Sequence, residues 1–320
     1  MTLLTSTVSA LAHALPATRA NRLMILIYHR VHPRPDPMFP GEVDAGRFSE
    51  QMGMLARYCR PLPLAEAVAG LKAGRLPPRA VCVTFDDGYA DNATQALPIL
   101  VRHGVPATFF VAPGFLDGGR MWNDSIIETV RRAPAGPLAL QEFGLDTVTL
   151  ADDAARGVVA GRILKSIKHR PFEERQRLVS RFCDRVGRRL PDDLMMTSSQ
   201  VREMANAGME IGAHTMTHPI LRTLPDESAR SEIARSRQAL EGIVGQPVRL
   251  FAYPNGRPGE DYTRRDRDVV ESLGFDAAMS TTWGAASRDS DFYQLPRFTP
   301  WDQASPRWFG RLMLAFRAAA

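Results

Sequence analysis

The amino-acid sequence predicts an α/β fold built around a largely parallel sheet, either open or closed into a barrel. Three observations support this prediction. Short apolar runs alternate with helical patterns, these runs end in polar or turn residues, and a chain of 320 residues with 44% hydrophobic content can bury a large core. We expect residues 1–320 to form one domain, with residues 121–200 as a helical insertion within it.

Seven apolar runs predict the strands of the sheet. They span residues 23–28, 80–85, 107–111, 209–213, 250–253, 277–280 and 294–298. The clearest helix, residues 226–244, opens with acidic residues and is stopped by Gly245 and Pro247. A second helix, residues 93–103, ends at Gly104. Because parallel strands place their ligands beyond their carboxyl ends, reactive side chains should follow these strands directly.

Residues 121–200 interrupt the alternation of strands and helices. This stretch is rich in arginine and mainly helical, and it contains one short segment, residues 146–150 (DTVTL), that could be a strand. It lacks the low complexity that is typical of a linker. Two interpretations are open: a lid over the substrate, or a cap that only completes the fold.

Composition and charge restrict the possible partners only loosely. The chain carries 40 basic and 35 acidic residues, which gives a net charge of +5 and a pI near 9.4. This excess fits an anionic or membrane-adjacent partner as well as an ordinary solvated surface, and we expect no nucleic-acid binding. The three cysteines are isolated, so they offer neither a disulfide framework nor a CxxC metal site, and Cys82 lies in an apolar run that predicts a core position.

The amino-terminal segment has an incomplete signal-peptide pattern. Residues 2–17 are moderately apolar, but no positive charge precedes them and His13 interrupts them, which favours a short amphipathic helix beside the first strand. No stretch approaches the roughly 20 continuous apolar residues of a membrane span. We therefore expect no integral membrane segment and a cytoplasmic location, and the oligomeric state is open.

Two adjacent carboxylates, Asp86 and Asp87, follow the apolar run 80–85 and precede Gly88. Neighbouring strand residues point to opposite faces, so both side chains reach one site only if a turn begins at Gly88. Two bare carboxylates this close repel each other, and a cation bound by one of them would remove that cost. An ordinary Asp-Asp-Gly turn is the alternative interpretation.

A pair of histidines, His214 and His218, follows the apolar run 209–213. They can bind one ion if the segment forms a single helical turn. Imidazole suits zinc and other late divalent metals, and two histidines with one carboxylate leave a coordination position open. Because both pieces follow predicted strands, a shared metal site is favoured over two unrelated turns.

The segment Thr84 to Gly88 together with His214-Thr-Met-Thr-His218 resembles the first two motifs of the polysaccharide deacetylases, also called carbohydrate esterase family four. The resemblance covers roughly residues 22–300 without the insertion. It implies Asp86 as the catalytic base, and Asp87, His214 and His218 as ligands of one divalent metal ion. It also implies a distorted (β/α) barrel with about seven parallel strands. Zinc is the expected metal, with cobalt, nickel and manganese open.

The third family motif is altered in this sequence. It corresponds to residues 251–256, where Ala252 stands in place of the usual arginine and Asn255 in place of the usual tyrosine. The backbone N–H of Asn255 can still serve as the oxyanion donor that the family uses there. Arg297, on the last predicted strand, could orient the base instead, or it could be a structural arginine. Tyr253 is a candidate for substrate contact.

The histidine that supplies the general acid near the carboxyl terminus of the family is absent, since no histidine follows His218. His29 lies at the end of the first predicted strand, which neighbours the last strand in a closed barrel. The biofilm poly-N-acetylglucosamine deacetylases resemble this sequence in having such an amino-terminal Tyr-His motif. His29 is therefore the candidate acid, with a structural role as the alternative.

Four remaining histidines carry no functional prediction, and we expect surface or packing roles for His13, His32, His103 and His169. The run Trp122-Asn123-Asp124, and Trp301 with Asp302, are candidates to line the rim, where the aromatic rings could stack on sugar rings. Core packing is the alternative for each tryptophan.

The resemblance implies a metal-dependent hydrolase that removes N-acetyl groups from a glycan or a glycan precursor. The partner is then an N-acetylated carbohydrate. Two alternatives are open: a carbohydrate O-acetyl esterase on the same scaffold, and a non-catalytic, metal-containing glycan-binding protein. The esterase shares the tetrahedral intermediate but needs less help from an acid.

Overall fold

A computed structural model describes residues 21–300, 302 and 304–316. Its strands, in chain order, are β1 Leu23–Tyr28, β2 Arg60–Pro61, β3 Ala80–Phe85, β4 Ala107–Val111, β5 Gly136–Leu138, β6 Val148–Leu150, β7 Glu210–Ala213, β8 Leu250–Ala252, β9 Ala277–Trp283 and β10 Leu295–Arg297. Its helices are α1 Ala45–Tyr58, α2 Leu64–Lys72, α3 Leu97–His103, α4 Trp122–Arg132, α5 Asp153–Ile167, α6 Phe172–Val186, α7 Ser198–Asn206, α8 Asp226–Val244, α9 Arg264–Ser272 and α10 Ser305–Ala315. The amphipathic helix expected over residues 2–17, and Trp301, lie outside the described residues.

Seven strands form a nearly closed parallel barrel flanked by helices, which confirms the predicted fold. The strand order is β1-β3-β4-β7-β8-β9-β10, and the short β2 adds to β3. The ends of the sheet meet where the Ile27 N–H donates to the Phe298 carbonyl at 3.1 Å and the Phe298 N–H donates to the Ile25 carbonyl at 2.7 Å. All seven predicted strands are present, and β9 runs on to Trp283, three residues past its predicted end.

The strands alternate between an inner and an outer apolar cluster, as a period of two requires. Along β3, Cys82 belongs to the inner cluster and the flanking Val81 and Val83 to the outer one, so the predicted core position of Cys82 is confirmed. The same inward direction continues through Thr84 to Asp86. The first carboxylate of the motif therefore points into the barrel mouth.

Helix α8 has the predicted bounds and ends at Gly245, whose φ of 69° gives the left-handed cap expected of glycine. The second predicted helix, residues 93–103, is present in altered form. It begins as a π-helical turn, Asn92–Ala96, and continues as α3. Pro98 has no N–H to donate at this junction, which favours the change of hydrogen-bond register.

The stretch 121–200 holds α4, α5 and α6, and its apolar side chains form a cluster separate from the two barrel clusters. The predicted strand in residues 146–150 is confirmed as β6, which pairs with β5 in an antiparallel ribbon. Arg131 of α4 binds both carboxylate oxygens of Asp36, at 3.0 and 2.6 Å, and so ties this stretch to the loop after β1. Among the described residues, no helix has the length and hydropathy needed to cross a membrane.

Candidate metal and catalytic site

Asp86 meets Arg297 inside the barrel mouth. Arg297 Nη1 and Nη2 donate to the two carboxylate oxygens at 2.7 Å each, and its Nε donates to the Ser280 carbonyl at 2.8 Å. Both side chains are almost completely buried. Burial would raise the pKa of Asp86, but the guanidinium outweighs it and holds that pKa below its usual range. Arg297 therefore keeps the buried carboxylate ionised.

Asp87 follows the end of β3, and the turn starts one residue before its predicted start at Gly88. Its φ is 80° and that of Gly88 is 94°, so the turn begins at Asp87 itself. This left-handed backbone swings the second carboxylate from the outer face to the rim, where it lies on the same side as the first. Glycine is required next, because a Cβ on Gly88 would lie 2.9 Å from Cγ1 of Val111.

His214 and His218 lie on a loop after β7, so their approach does not depend on the single helical turn considered for this segment. Thr215 and His218 have φ of 61° and 52°, and the His218 N–H donates to Oγ1 of Thr215 at 3.1 Å. Glu232 of α8 holds the loop, since its carboxylate accepts from the N–H and Oγ1 of Thr217 at 2.8 and 3.0 Å. This tight turn brings the imidazole centroids within 4.9 Å.

Asp87, His214 and His218 form a set suited to one divalent ion. Oδ1 of Asp87 lies 3.4 Å from Nε2 of His214 and 3.3 Å from Nε2 of His218. That oxygen is buried and has no hydrogen-bond partner among the described residues, as expected of a metal ligand. Nδ1 of His214 lies 2.7 Å from the Ala252 carbonyl, so it carries the proton and leaves the Nε2 lone pair free.

The electrostatics of Asp87 and His218 also suit a cation. Burial would raise the pKa of Asp87, but the histidines, led by His218, outweigh it and hold that pKa well below its usual range. Burial lowers the pKa of His218 to about 4, so this imidazole is neutral at physiological pH and able to bind metal. Burial would likewise lower the pKa of His214, but the two carboxylates outweigh it and raise that pKa.

His29 follows β1 at the same rim and is exposed. The Asp86 N–H donates to the carbonyl of Tyr28 at 3.0 Å, so His29 leaves β1 next to the start of the carboxylate pair. Asn92, four residues after Gly88, holds its backbone, because Nδ2 of Asn92 donates to the His29 carbonyl at 2.8 Å. The position fits a proton donor that reaches the site from the start of the chain.

Asn255 occupies a left-handed turn after β8, with φ of 59°. Oγ1 of Thr281 donates to its carbonyl at 2.8 Å and fixes this turn. Within the described ranges, its N–H makes no hydrogen bond, so the donor is available. Asn255 and the metal-ligand candidate His218 line one cavity, so this turn lies at the site mouth.

The two candidates for substrate contact separate in the structure. Trp122 lines the same cavity as His218 and Asn255. Tyr253 is fully buried, its ring stacks on Tyr262 with centroids 3.7 Å apart, and its hydroxyl donates to the Tyr293 carbonyl at 2.9 Å. Tyr253 therefore packs in the core, and the structure does not bring it to the site.

Two cavities include candidate site residues in their linings. One, of about 670 Å³, lies beside His29 and is lined mainly by apolar residues of the loop after β1, among them Met38 and Phe39. The other, of about 300 Å³, is the one lined by His218 and Asn255, and α5 and α6 of the 121–200 stretch form its far wall. Of the two linings, only that of the smaller cavity includes a candidate metal ligand.

Sequence reasoning missed a buried polar group beneath the rim. The hydroxyl of Tyr89 donates to the Asp124 carboxylate at 3.0 Å, and the Arg30 guanidinium lies over the Tyr89 ring at 4.6 Å. Burial raises the pKa of Asp124 to about 7. His32, expected as a surface or packing residue, is buried against Glu42. The only sequence signal for the first group was the Trp122-Asn123-Asp124 run.

Comparison with known proteins agrees with this geometry. A family model described as polysaccharide deacetylase matches residues 73–139 and 175–278, together more than half of the chain. A curated protein of Bacillus subtilis (strain 168), the putative polysaccharide deacetylase YxkH, is 25% identical over 219 residues. That match covers 68% of this chain and 50% of the relative, so the chain corresponds to half of the relative's length.

Solved structures share the fold at low identity. The Streptococcus pyogenes deacetylase PplD, in complex with acetate, is 20% identical with a TM-score of 0.62, over 93% of this chain and 99% of that one. IcaB from Ammonifex degensii is 20% identical with a TM-score of 0.58, over 93% and 97% of the two chains. A de-N-acetylase from Aggregatibacter actinomycetemcomitans is 17% identical with a TM-score of 0.53, over 87% and 94%.

Proposed function

The chain belongs to the polysaccharide deacetylase family, and on that premise we propose that it is a metal-dependent hydrolase that removes N-acetyl groups from a glycan or a glycan precursor. The observation that carries this proposal is the convergence of Asp87, His214 and His218 beside an ionised, buried Asp86. The description of one structurally similar protein as a de-N-acetylase supports the choice of N-acetyl substrates.

The donor set favours zinc. Two imidazole nitrogens and one carboxylate oxygen suit a late divalent metal and leave room for further ligands. Cobalt, nickel and manganese accept the same donors. When bound, such an ion supplies Lewis acidity that polarises the acetyl carbonyl and lowers the pKa of water.

Asp86 is the proposed base. Arg297 binds both of its oxygens and fixes their orientation, yet a carboxylate has about four lone-pair sites and so retains acceptor capacity for the proton of an attacking water. A non-catalytic glycan-binding protein would have no need of this buried ion pair. The pair therefore favours catalysis over binding alone.

Asn255 and His29 complete the proposed mechanism. The available N–H of Asn255 donates to the oxygen of the acetyl group as negative charge develops on it. His29 gives its proton to the nitrogen of the leaving sugar amine. An amine leaves poorly without that proton, whereas an alcohol needs less help.

O-acetyl esterase activity is a second candidate function. His29 is exposed, and its ring makes no hydrogen bond to another described residue, so the acid is less firmly held than the base. A loosely held acid favours the easier leaving group. The two functions differ in whether free amine accompanies acetate.

An amine-release assay over a panel of N-acetylated and O-acetylated oligosaccharides tests the proposal. We expect Asp86→Asn to retain the metal and to lose turnover. Asp184→Asn, an exposed acidic substitution on α6, is the matched control and should leave both unchanged. Turnover by Asp86→Asn at the native rate would remove Asp86 from the role of base, and acetate release without amine would favour the esterase.

A further inference from the structure

The cavity of about 300 Å³ beside the candidate metal ligands has an unusual wall. On one side it is lined by His218 and Asn255 of the barrel rim. On the other side it is lined by Lys165, Lys168 and Arg175 of the 121–200 stretch. No acidic side chain is among its lining residues. The cavity therefore joins three basic groups to the mouth of the proposed catalytic site.

Arg175 is a buried cation without a carboxylate partner in the described part of the chain. The residue is only 6% exposed, its Nη1 donates to the Lys168 carbonyl at 3.0 Å, and its guanidinium lies 4.9 Å from the ring centroid of Trp122. Its Nε has no hydrogen-bond partner among the described residues. Burial lowers its pKa, with no neighbouring anion to oppose that change. An uncompensated buried charge of this kind is costly unless a ligand completes it.

The two lysines extend the basic wall toward solvent. Lys165 is exposed and makes no ion pair within the described residues. Lys168 lies 3.6 Å from Oδ1 of Asp261, a distance too long for a normal hydrogen bond. Other arginines of the same stretch are paired, as Arg170 is with Glu174 at 2.8 Å and Arg185 with Glu142 at 2.6 Å. Of the three basic residues, Arg175 is the one that is both buried and without an ion pair among the described residues.

We propose that this cavity binds an anionic group, a phosphate or a carboxylate, carried by the acetylated sugar on which the site acts. The inference rests on the proposed function and narrows its substrate class to acidic glycans or phosphorylated sugar precursors. Arginine and lysine make their strongest hydrogen bonds to such oxyanions, and Trp122 offers an apolar face for the sugar ring. The 121–200 stretch then contributes to specificity as well as to the fold.

Binding measured by titration calorimetry on the zinc-loaded protein tests the proposal without turnover. The probes are N-acetylglucosamine as the neutral sugar, its 1-phosphate and 6-phosphate esters, and N-acetylmuramic acid as the carboxylate. We expect at least one anionic probe to bind about tenfold more tightly than the neutral sugar, because it gains one charge-assisted hydrogen bond. The three anionic probes distinguish phosphate from carboxylate. Equal affinity for all four probes would overturn the proposal.

Two variants locate the binding. Lys165→Gln removes an exposed charge and should cut the preference for the anionic probe about tenfold, whereas Arg177→Gln, an exposed arginine of α6 outside the cavity, should keep it. If the anion binds only to the metal, Lys165→Gln will keep the full preference for the anionic probe, and that result would overturn the proposed subsite. Arg175→Gln serves as a further probe once its thermal unfolding shows a folded protein.

The two proposals can fail separately. Charge-dependent binding without any acetate or amine release would reject the proposed function and keep the subsite. Turnover of neutral and anionic substrates with equal kcat/KM, unchanged in Lys165→Gln, would keep the proposed function and reject the subsite.

Discussion

The Asp86–Arg297 pair offers a quantitative test of the barrel mouth. Arg297 is fully buried and binds the carboxylate through two contacts of 2.7 Å. Arg297→Gln leaves that carboxylate buried and unpaired, which should cost about 3–5 kcal/mol of unfolding free energy. Arg237→Gln breaks a half-exposed ion pair with Glu241 on α8, and its cost should stay within about 1 kcal/mol. Urea denaturation of both variants measures the difference.

The pH dependence of this cost has a defined sign. In the native protein the pKa of Asp86 lies below its ordinary value, so its stabilising contribution is present above about pH 4 and is lost as the pH falls through the lowered pKa. In Arg297→Gln the burial remains and the guanidinium is gone, so the pKa of Asp86 rises instead. The cost of the substitution should therefore grow as the pH rises above about 4.

A double-mutant cycle completes the test. Asp86→Asn combined with Arg297→Gln should be much less destabilised than the sum of the two single variants, because neither charge is then left alone. The acid limb of the kcat/KM profile of Arg297→Gln should also move to higher pH. Costs that add to within about 0.5 kcal/mol, independent of pH, would refute the coupling of the two groups.

Three further predictions concern the surroundings of the site. Glu232→Gln should weaken metal affinity about tenfold in chelator competition, because Glu232 holds the histidine loop through Thr217. The control Glu227→Gln should keep the native affinity, and equal affinities of the two variants would contradict the role of Glu232. Burial raises the pKa of Asp124 to about 7, so the native protein should lose stability as the pH rises from about 4 to about 7. Asp124→Asn should not show this loss, and its unfolding free energy should therefore rise relative to that of the native protein over the same pH range. A difference between the two proteins that does not change with pH in urea denaturation would argue against this reasoning. Gly88→Ala should destabilise the protein by about 1–3 kcal/mol and lower its metal occupancy, because residue 88 has a φ of 94° and a Cβ there would lie 2.9 Å from Cγ1 of Val111. An unfolding free energy equal to that of the native protein would contradict this close packing.

The barrel and the core of the site were predictable because they depend on patterns local to the chain. Each strand is a short apolar run, and parallel strands end at one rim, so Asp86, Asp87, His214 and His218 could be brought together from their places after strand ends. The inward direction of Arg297 follows from the period of two along β10, where Leu295 also points inward. These inferences needed no knowledge of loop geometry.

The remaining features depend on contacts that no local pattern encodes. The His214–His218 spacing suits a helix, but Thr215 and His218 adopt left-handed backbone angles in a loop held by Glu232 from a distant helix. Tyr253 sits in an altered motif that resembles a substrate loop, yet its aromatic stack with Tyr262 keeps it in the core. Side-chain packing between separate elements decided both outcomes.

The basic cavity is a third feature of this kind. In the sequence, nothing distinguishes Lys165, Lys168 and Arg175 from the many other basic residues of this arginine-rich stretch. Only the tertiary fold shows that they line one cavity with His218, and that Arg175 among them is buried without an acidic partner in the described part of the chain.

The most direct test of the proposed function is the yield of acetate and primary amine from a chitooligosaccharide, measured with metal-stripped protein before and after zinc is restored. We predict equal amounts of acetate and amine from the zinc-loaded protein, no release from the stripped protein, and none from Asp86→Asn loaded with zinc. Equal release by the stripped and zinc-loaded proteins would contradict a metal-dependent mechanism, and acetate without amine from an O-acetylated analogue alone would contradict N-deacetylation.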